Sequence, residues 1–293
     1  VKINGIVLVL LGAASFGFTP IFVKTGYAFG YSLGEINLVQ MISAFIILWS
    51  LKVFKKERHP LSNQDRLKVM ATGTTVGLTS IFYYAAMQYV TASLAIILLF
   101  QFVWIGMIYE WIFTKKAPER KNLLALVITL TGVLFASGIA GGSEMELPLV
   151  GLGLGLLSGA SYAGFIFFSG QVVPDSDPLT RSSFMVAGSM ILILFVFVQE
   201  IPRVFSADGR LWTLGMGVAL VGAVLPPFLF AAGAPLISAR LANVLSTVEL
   251  PVAIVSAMII LSEPVTPWQW VGVGLIIGAV FINEWGRKRP APL

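Results

Sequence analysis

Residues 241–261 read LANVLSTVELPVAIVSAMIIL, an apolar run with one carboxylate, Glu249, inside it. A helix needs about 20 apolar residues to cross a bilayer, so this run is long enough to span. A carboxylate in hydrocarbon is expensive unless it faces a partner or a wet cavity, which makes it a functional-site hypothesis. Glu249 stands about eight residues from the inner end of the run, roughly 12 Å deep at 1.5 Å per residue. Pro251 follows and frees a backbone carbonyl, which invites a kink. Two functional readings fit, a proton-exchanging carboxylate or a ligand for a substrate amino group. The plainer alternative is a protonated or hydrogen-bonded packing residue, helped by Asn243, Ser246 or Thr247.

The rest of the chain has the same character. Of 293 residues, 57% are hydrophobic and 11% charged, with a mean hydropathy of +0.90; soluble domains carry about 25% charged residues. Windows of about 19 residues give ten apolar runs, roughly 3–23, 33–54, 68–89, 92–113, 122–139, 149–170, 181–199, 211–233, 241–262 and 268–286. Runs this long span as helices, because every backbone group must find its partner internally. The expected fold is therefore an all-α, multi-pass integral membrane protein of ten transmembrane helices. The first run follows Lys2 as a secretory signal would, but no small-residue cleavage site precedes a soluble region, so it reads as a retained spanning helix.

Charge sets the orientation. With the N-terminus in the cytoplasm, the inner side collects six Lys/Arg from Lys52 to Lys68, four from Lys115 to Lys121, the tail residues Arg287, Lys288 and Arg289, and Lys2, Arg181 and Arg240. That is sixteen of nineteen basic residues, leaving Lys24, Arg203 and Arg210 outside, the positive-inside bias of membrane-protein topology. Both termini are then cytoplasmic, and Glu144, Glu146 and Glu263 fall on the outer connections. The net charge of +5 is thus spent on topology, and no nucleic-acid partner is expected.

An offset of about 146 residues relates the two halves of the chain. Ala14-Ser15-Phe16 recurs as Ala160-Ser161-Tyr162, Tyr84-Ala85-Ala86 as Phe230-Ala231-Ala232, and Gly132-Val133-Leu134-Phe135 as Gly278-Ala279-Val280-Phe281. Five crossings per half is an odd number, so residues 1–146 and 147–293 would enter the membrane from opposite sides as an inverted repeat.

Enzyme chemistry finds little to stand on. The chain has no cysteine and no H-E-x-x-H, G-x-S-x-G or Walker sequence, so no catalytic, cofactor or metal site is expected. The single histidine, His59, sits in a basic stretch beside Pro60 without convergent partners. Gly151-Leu-Gly153-Leu-Gly155 looks like a nucleotide loop but lies in an apolar helix, where small residues serve close packing. In the fourth run Gln101, Trp104, Ile108 and Trp111 share a helical face; Gln101 and Trp104 read as a cavity wall, Trp111 as an interfacial anchor. Glu110, one turn from Lys115, reads as an interfacial ion pair. Tyr83, Tyr84 and Tyr162 could grip an organic ligand by stacking and hydrogen bonding. Ser15 and Thr19 precede Pro20 and could re-satisfy the backbone that it frees. Pro226-Pro227 must distort the eighth run.

Val248-Glu249-Leu-Pro251-Val252-Ala253, running through Leu261-Ser262-Glu263-Pro264 and Gln269-Trp270-Val-Gly272 to Gly278, resembles the second repeat of the EamA-type ten-helix exporters in the drug/metabolite transporter superfamily. The first half departs from that pattern with Ala117 where Glu263 would map. The resemblance implies a central cavity between the repeats, alternating access, and carriage of amino acids, purines or toxic amines. The first, third, fourth, sixth, eighth and ninth helices would line that cavity. On this reading Glu249 binds a cation or proton, Gln101 orients polar groups, and Trp104, Tyr83 and Tyr162 form stacking walls with Ser15 nearby. The expected function is secondary transport of a small organic metabolite across the cytoplasmic membrane, as an export driven by a gradient, with proton antiport and facilitated uniport both open. The alternative is a membrane sensor or accessory protein without flux of its own.

Overall fold

The computed structural model describes residues 4–55, 61–86, 88–90, 92–115, 117–136, 148–260 and 265–284, and no strand occurs among them. Lys2, His59, Glu144, Glu146, the 261–264 stretch with Glu263, and Arg287, Lys288 and Arg289 lie outside the described residues. The helices are α1 (Gly5–Phe16), α2 (Thr19–Ala28), α3 (Leu33–Phe54), α4 (Asn63–Ala86), α5 (Ala92–Leu99), α6 (Phe102–Thr114), α7 (Arg120–Ala136), α8 (Leu149–Gln171), α9 (Pro178–Val196), α10 (Ile201–Ser206), α11 (Gly209–Ala219), α12 (Leu225–Gly233), α13 (Ala239–Ser246), α14 (Glu249–Ile260) and α15 (Pro267–Glu284). The all-helical membrane fold expected from the hydropathy is the one observed. Among the described residues seven helical stretches are long and apolar enough to cross a membrane, with Asn122–Ala136 a shorter apolar helix.

Side-chain oxygens start the helices where the sequence supplies them. Ser32 and Glu35 form a reciprocal capping box on α3, with Glu35 N–H donating to Ser32 Oγ at 3.1 Å and Ser32 N–H to Glu35 Oε2 at 2.7 Å. Asp177, Asp208 and Ser238 accept from the first turns of α9, α11 and α13. Each cap satisfies a donor the helix cannot, worth roughly 1 kcal/mol.

Several apolar runs are broken helices, and proline explains most of the breaks. Proline lacks the N–H that would bond the carbonyl four residues upstream, and its ring crowds that carbonyl. Pro20 lies four residues beyond Phe16, where α1 ends; there Gly17 N–H is shared between Ala13 O and Ala14 O. Pro226 and Pro227 lie four beyond Gly222 and Ala223, inside the π-turn Leu220–Val224 that joins α11 to α12. Pro251 lies four beyond Thr247, at the join of α13 and α14, where Leu250 N–H takes the Thr247 carbonyl instead at 3.2 Å. The kink expected near Pro251 is a full break, set just ahead of Glu249.

Helix packing pairs one half of the chain with the other. The α4 helix packs on α8 and α9, while α12 packs on α1 and α11 on α3; α6 packs on α8 as α13 packs on α1; and α3 meets α9, α6 meets α13 and α7 meets α15. Each pairing thus recurs with the halves exchanged. Small residues make the closest crossings, since backbones approach only where no Cβ intervenes. A Cβ on Gly73 would sit 1.8 Å from Met185 O, and one on Gly188 would sit 2.0 Å from Met70 O, so α4 and α9 touch backbone to backbone. In the Gly151-Leu-Gly153-Leu-Gly155 stretch, Gly151 abuts Tyr89 and Val90 and Gly155 abuts Leu98, while Gly153 meets nothing within 4 Å. Two of these glycines therefore serve packing.

Candidate functional site

A cavity of about 710 Å³ runs into the bundle from the end where α2 passes to α3. Tyr31, Ser32, Gln88, Val265 and Gln269 line it toward that end, and Phe16, Tyr162, Phe165 and Glu249 line it where the helices break. Its walls come from α2, α3, α4, α5, α8, the π-turn and α14, with Ala136 and Gln269 from α7 and α15. The second apolar run, absent from the expected lining, contributes Leu33, Gln40 and Met41.

Glu249 opens α14, directly after the break that Pro251 produces. Its Oε2 accepts a hydrogen bond from Tyr162 Oη at 2.8 Å. The Tyr162 ring is held in turn by Phe102, Phe16 and Phe165, with ring centroids 4.8, 5.5 and 6.2 Å away. Phe16 and Tyr162, which the repeat offset equates, thus meet edge to face. Tyr83 and Tyr84 line the same cavity with centroids 5.8 Å apart. The arrangement presents a carboxylate and aromatic faces to one volume. A carboxylate with aromatic walls suits an organic ammonium group.

The remaining expected site residues lie elsewhere. Gln101 sits in the break between α5 and α6, where its backbone N–H has shifted to Leu98 O at 3.2 Å. Its side-chain Nε2 takes over the vacated Ile97 carbonyl at 2.9 Å, and its Oε1 accepts from Trp104 Nε1 at 2.7 Å. The pair mends a helix break rather than lining the cavity, and the spacing argument placed it on a wall because it assumed an unbroken helix. Ser15 Oγ donates to Val221 O at 2.8 Å, tying α1 to the π-turn outside the lining. Thr19 Oγ1, expected to serve the backbone, is buried without a hydrogen-bond partner.

At the opposite end, among the described residues, a buried ion pair closes α6 against α13. Glu110 Oε2 lies 3.0 Å from Arg240 Nε and accepts the Arg240 backbone N–H at 2.8 Å, with both side chains about one-tenth exposed. The expected partner, Lys115, is replaced by a residue from α13 that sequence spacing could not reveal. Elsewhere on α6, Tyr109 and Phe113 form a contiguous aromatic cluster with Phe167 and Phe168 of α8. Arg181, fully buried, donates to the carbonyls of Val173, Ser169 and Ala231 and so ties α8, α9 and α12 together.

At the open end Tyr31 Oη donates to Asp208 Oδ1 at 2.6 Å. That bond pushes the Tyr31 hydroxyl above its ordinary 10.0. The same bond, followed by the Leu211 N–H, holds Asp208 below its ordinary 3.8. Sequence reasoning also missed Gln40 and Tyr27 in the lining. Asn37, Gln40 and Ser43, three apart in an apolar run, are the signal that could have found that face.

The EamA-like transporter family matches residues 3–138 and again 149–284. The threonine/homoserine exporter RhtA of Escherichia coli strain K12 is 27% identical over 253 residues, 85% of this chain and 77% of its own. The uncharacterized transporter YetK of Bacillus subtilis strain 168 is 24% identical over 277 residues, 92% of this chain and 80% of its own. A solved crystal structure superposes with a TM-score of 0.78 over 95% of this chain and 96% of its own at 12% identity, which shows a shared fold.

Proposed function

The chain belongs to the EamA-like transporter family, and from that premise we propose that it exports small organic metabolites, amino acids or related amines first among them, by alternating access across the cytoplasmic membrane. The observation that carries this reading is one cavity, acid-floored at Glu249, open at one end and shut at the other by the buried Glu110–Arg240 pair. The exporter RhtA supports the substrate class, since threonine and homoserine are small amines with a carboxylate. Ten spans in two inverted five-helix repeats, 1–146 and 147–293, with both termini cytoplasmic, agree with the double family match and with the pairing of helices across the halves. On that topology the basic, sealed end faces the cytoplasm and the cavity faces outward.

Coupling follows from the cost of an uncompensated carboxylate in the membrane. In our reading Glu249 carries either the substrate ammonium or a proton, one excluding the other, with Tyr162 orienting it and Tyr83 walling the cavity. An outward-facing Glu249 then exchanges its amine for a proton from the more acidic side, and the proton gradient drives export. The test is counterflow in liposomes loaded with threonine, homoserine, a purine and a quaternary amine, with and without a pH gradient. Uptake of labelled amino acid that grows with the gradient and disappears in Glu249→Gln supports the proposal. Flux of purines alone, or gradient coupling unchanged in Glu249→Gln, overturns it.

A further inference from the structure

We propose that Gln40, Thr19 and Tyr27 form a neutral hydrogen-bonding subsite in the cavity wall, which takes an uncharged hydroxyl or amide group of the substrate while Glu249 takes its amine. The inference rests on the reading of this cavity as the substrate site and adds to it the residues that would select among amines.

Buried polar atoms in folded proteins are almost always hydrogen-bonded, and exceptions ask for an explanation. Nine buried side-chain atoms among the described residues lack a partner, and three of them, Thr19 Oγ1, Tyr27 Oη and Gln40 Oε1, belong to residues lining this one cavity. Gln40 is only 3% exposed, on α3, where a leucine would pack without that cost. Neighbouring hydroxyls behave differently. Thr79 and Ser80 also line the cavity, but they return their hydroxyls to Thr75 O at 2.7 Å and Gly77 O at 2.9 Å on their own helix.

Geometry brings two of these three residues, Gln40 and Thr19, to a common point. A Cβ built on Gly222 would lie 3.0 Å from Gln40 Nε2, the amide nitrogen beside the unpartnered Oε1, and 3.1 Å from Thr19 Oγ1, so both side chains border the space that this glycine leaves bare. Gly222 lines the cavity from the π-turn Leu220–Val224, whose Val221 carbonyl is pinned by Ser15. Single π-turns inside α-helices concentrate at functional sites because the widened turn opens the backbone locally. A carboxamide and two hydroxyls together can donate and accept without net charge. A ligand hydroxyl or amide does the same, which makes the match one of kind as well as place.

Isosteric ligand pairs test this: threonine against valine, and homoserine against norvaline, each pair exchanging a hydroxyl for a methyl. Binding to the purified wild type and to Gln40→Met and Thr19→Val is read by inhibition of counterflow and by ligand-induced Tm shifts. A hydroxyl left without its partner in a buried site loses roughly tenfold in affinity. The wild type should therefore prefer the hydroxylated member by about that factor, and either variant should erase the preference without weakening valine. The ligand-free Tm provides a second readout. Gln40→Met should raise it, because it removes a buried polar group that only a ligand satisfies, whereas a structural glutamine would make it fall. A preference unchanged in both variants, or a lowered ligand-free Tm, overturns the subsite. If the wild type binds neither pair, the substrate class proposed above is wrong and the Tm decides the subsite alone, a rise upholding it and a fall removing it.

Discussion

Replacing Tyr162 with phenylalanine deletes one oxygen and nothing else of the ring cage, so it isolates the hydrogen bond that Glu249 receives at 2.8 Å. The phenyl ring keeps its contacts with Phe102, Phe16 and Phe165, whose centroids lie within 6.2 Å. A hydrogen bond to a charged group nets about 1.5–3 kcal/mol, and one between neutral groups about 0.5–1.5. Under conditions that ionise Glu249, Tyr162→Phe should therefore lower the unfolding free energy in bicelles by about 2 kcal/mol in the wild type and by about 1 in a Glu249→Gln background. The difference, a coupling of roughly 1 kcal/mol, stands above the 0.3–0.5 within which distant sites add. Interhelical hydrogen bonds in membranes average nearer 0.6 because the unfolded reference also finds partners, so about 1 kcal/mol is the upper end for this coupling. Unfolding titrations of the four proteins give the cycle directly. Additive losses would show that the hydroxyl and the carboxylate do not act on one another, and would undo the orienting role given to Tyr162.

The sealed end can be loosened by Glu110→Gln, which removes the counter-charge of a buried arginine at a cost of about 3 kcal/mol to the closed arrangement. In this cysteine-free chain a single Ser246→Cys should then react faster with a polar maleimide added from the basic end, and an unaltered rate would deny that the pair closes it. Gly73→Val forces α4 from α9, where a Cβ would already meet Met185 O at 1.8 Å, so folded protein in membranes should fall sharply. Gly153→Ala, with open space at its Cβ, should raise Tm slightly through helix propensity worth up to about 1 kcal/mol. The Tyr31–Asp208 bond has a pH window of its own. Asp208 is depressed, so its contribution is complete above the ordinary 3.8 and disappears as pH falls through its lowered value. Tyr31 is raised, so its contribution is complete below 10.0 and disappears as pH rises through its raised value. Tyr31→Phe should flatten both edges of the stability profile, and a profile retaining them would assign the edges to other groups.

Long apolar runs and the basic loops made the helical membrane fold legible, because lipid leaves a backbone few other options. Glu249 was legible for the same reason, as the one acid deep in such a run. Three helix breaks could be read from Pro20, Pro226-Pro227 and Pro251, each acting four residues upstream. The break at Phe100–Gln101 has no proline, and it changed the meaning of Gln101 and Trp104 from wall to splint. Pairing was the part that sequence could not supply. Glu110 and Arg240 lie 130 residues apart, and only the fold brings α6 to α13. Gln40 is a lone amide in an apolar helix until the π-turn of a distant segment is set beside it.

The two broken helices in the fourth and ninth runs divide at corresponding places, since Gln101 and Thr247 are separated by the repeat offset. In each, one half lines the open cavity and the other belongs to the seal. The α5 helix supplies Ile96 and Leu99 to the cavity while α6 carries Glu110; α14 supplies Glu249 while α13 carries Arg240. The breaks therefore lie at the cavity floor, where i→i+3 hydrogen bonds replace part of the α-helical ladder and the backbone is easiest to bend. In the transport cycle we propose, a swing of α6 and α13 about these points would part Glu110 from Arg240. The same carboxylate could then face the other side of the membrane, which alternating access at a single site requires.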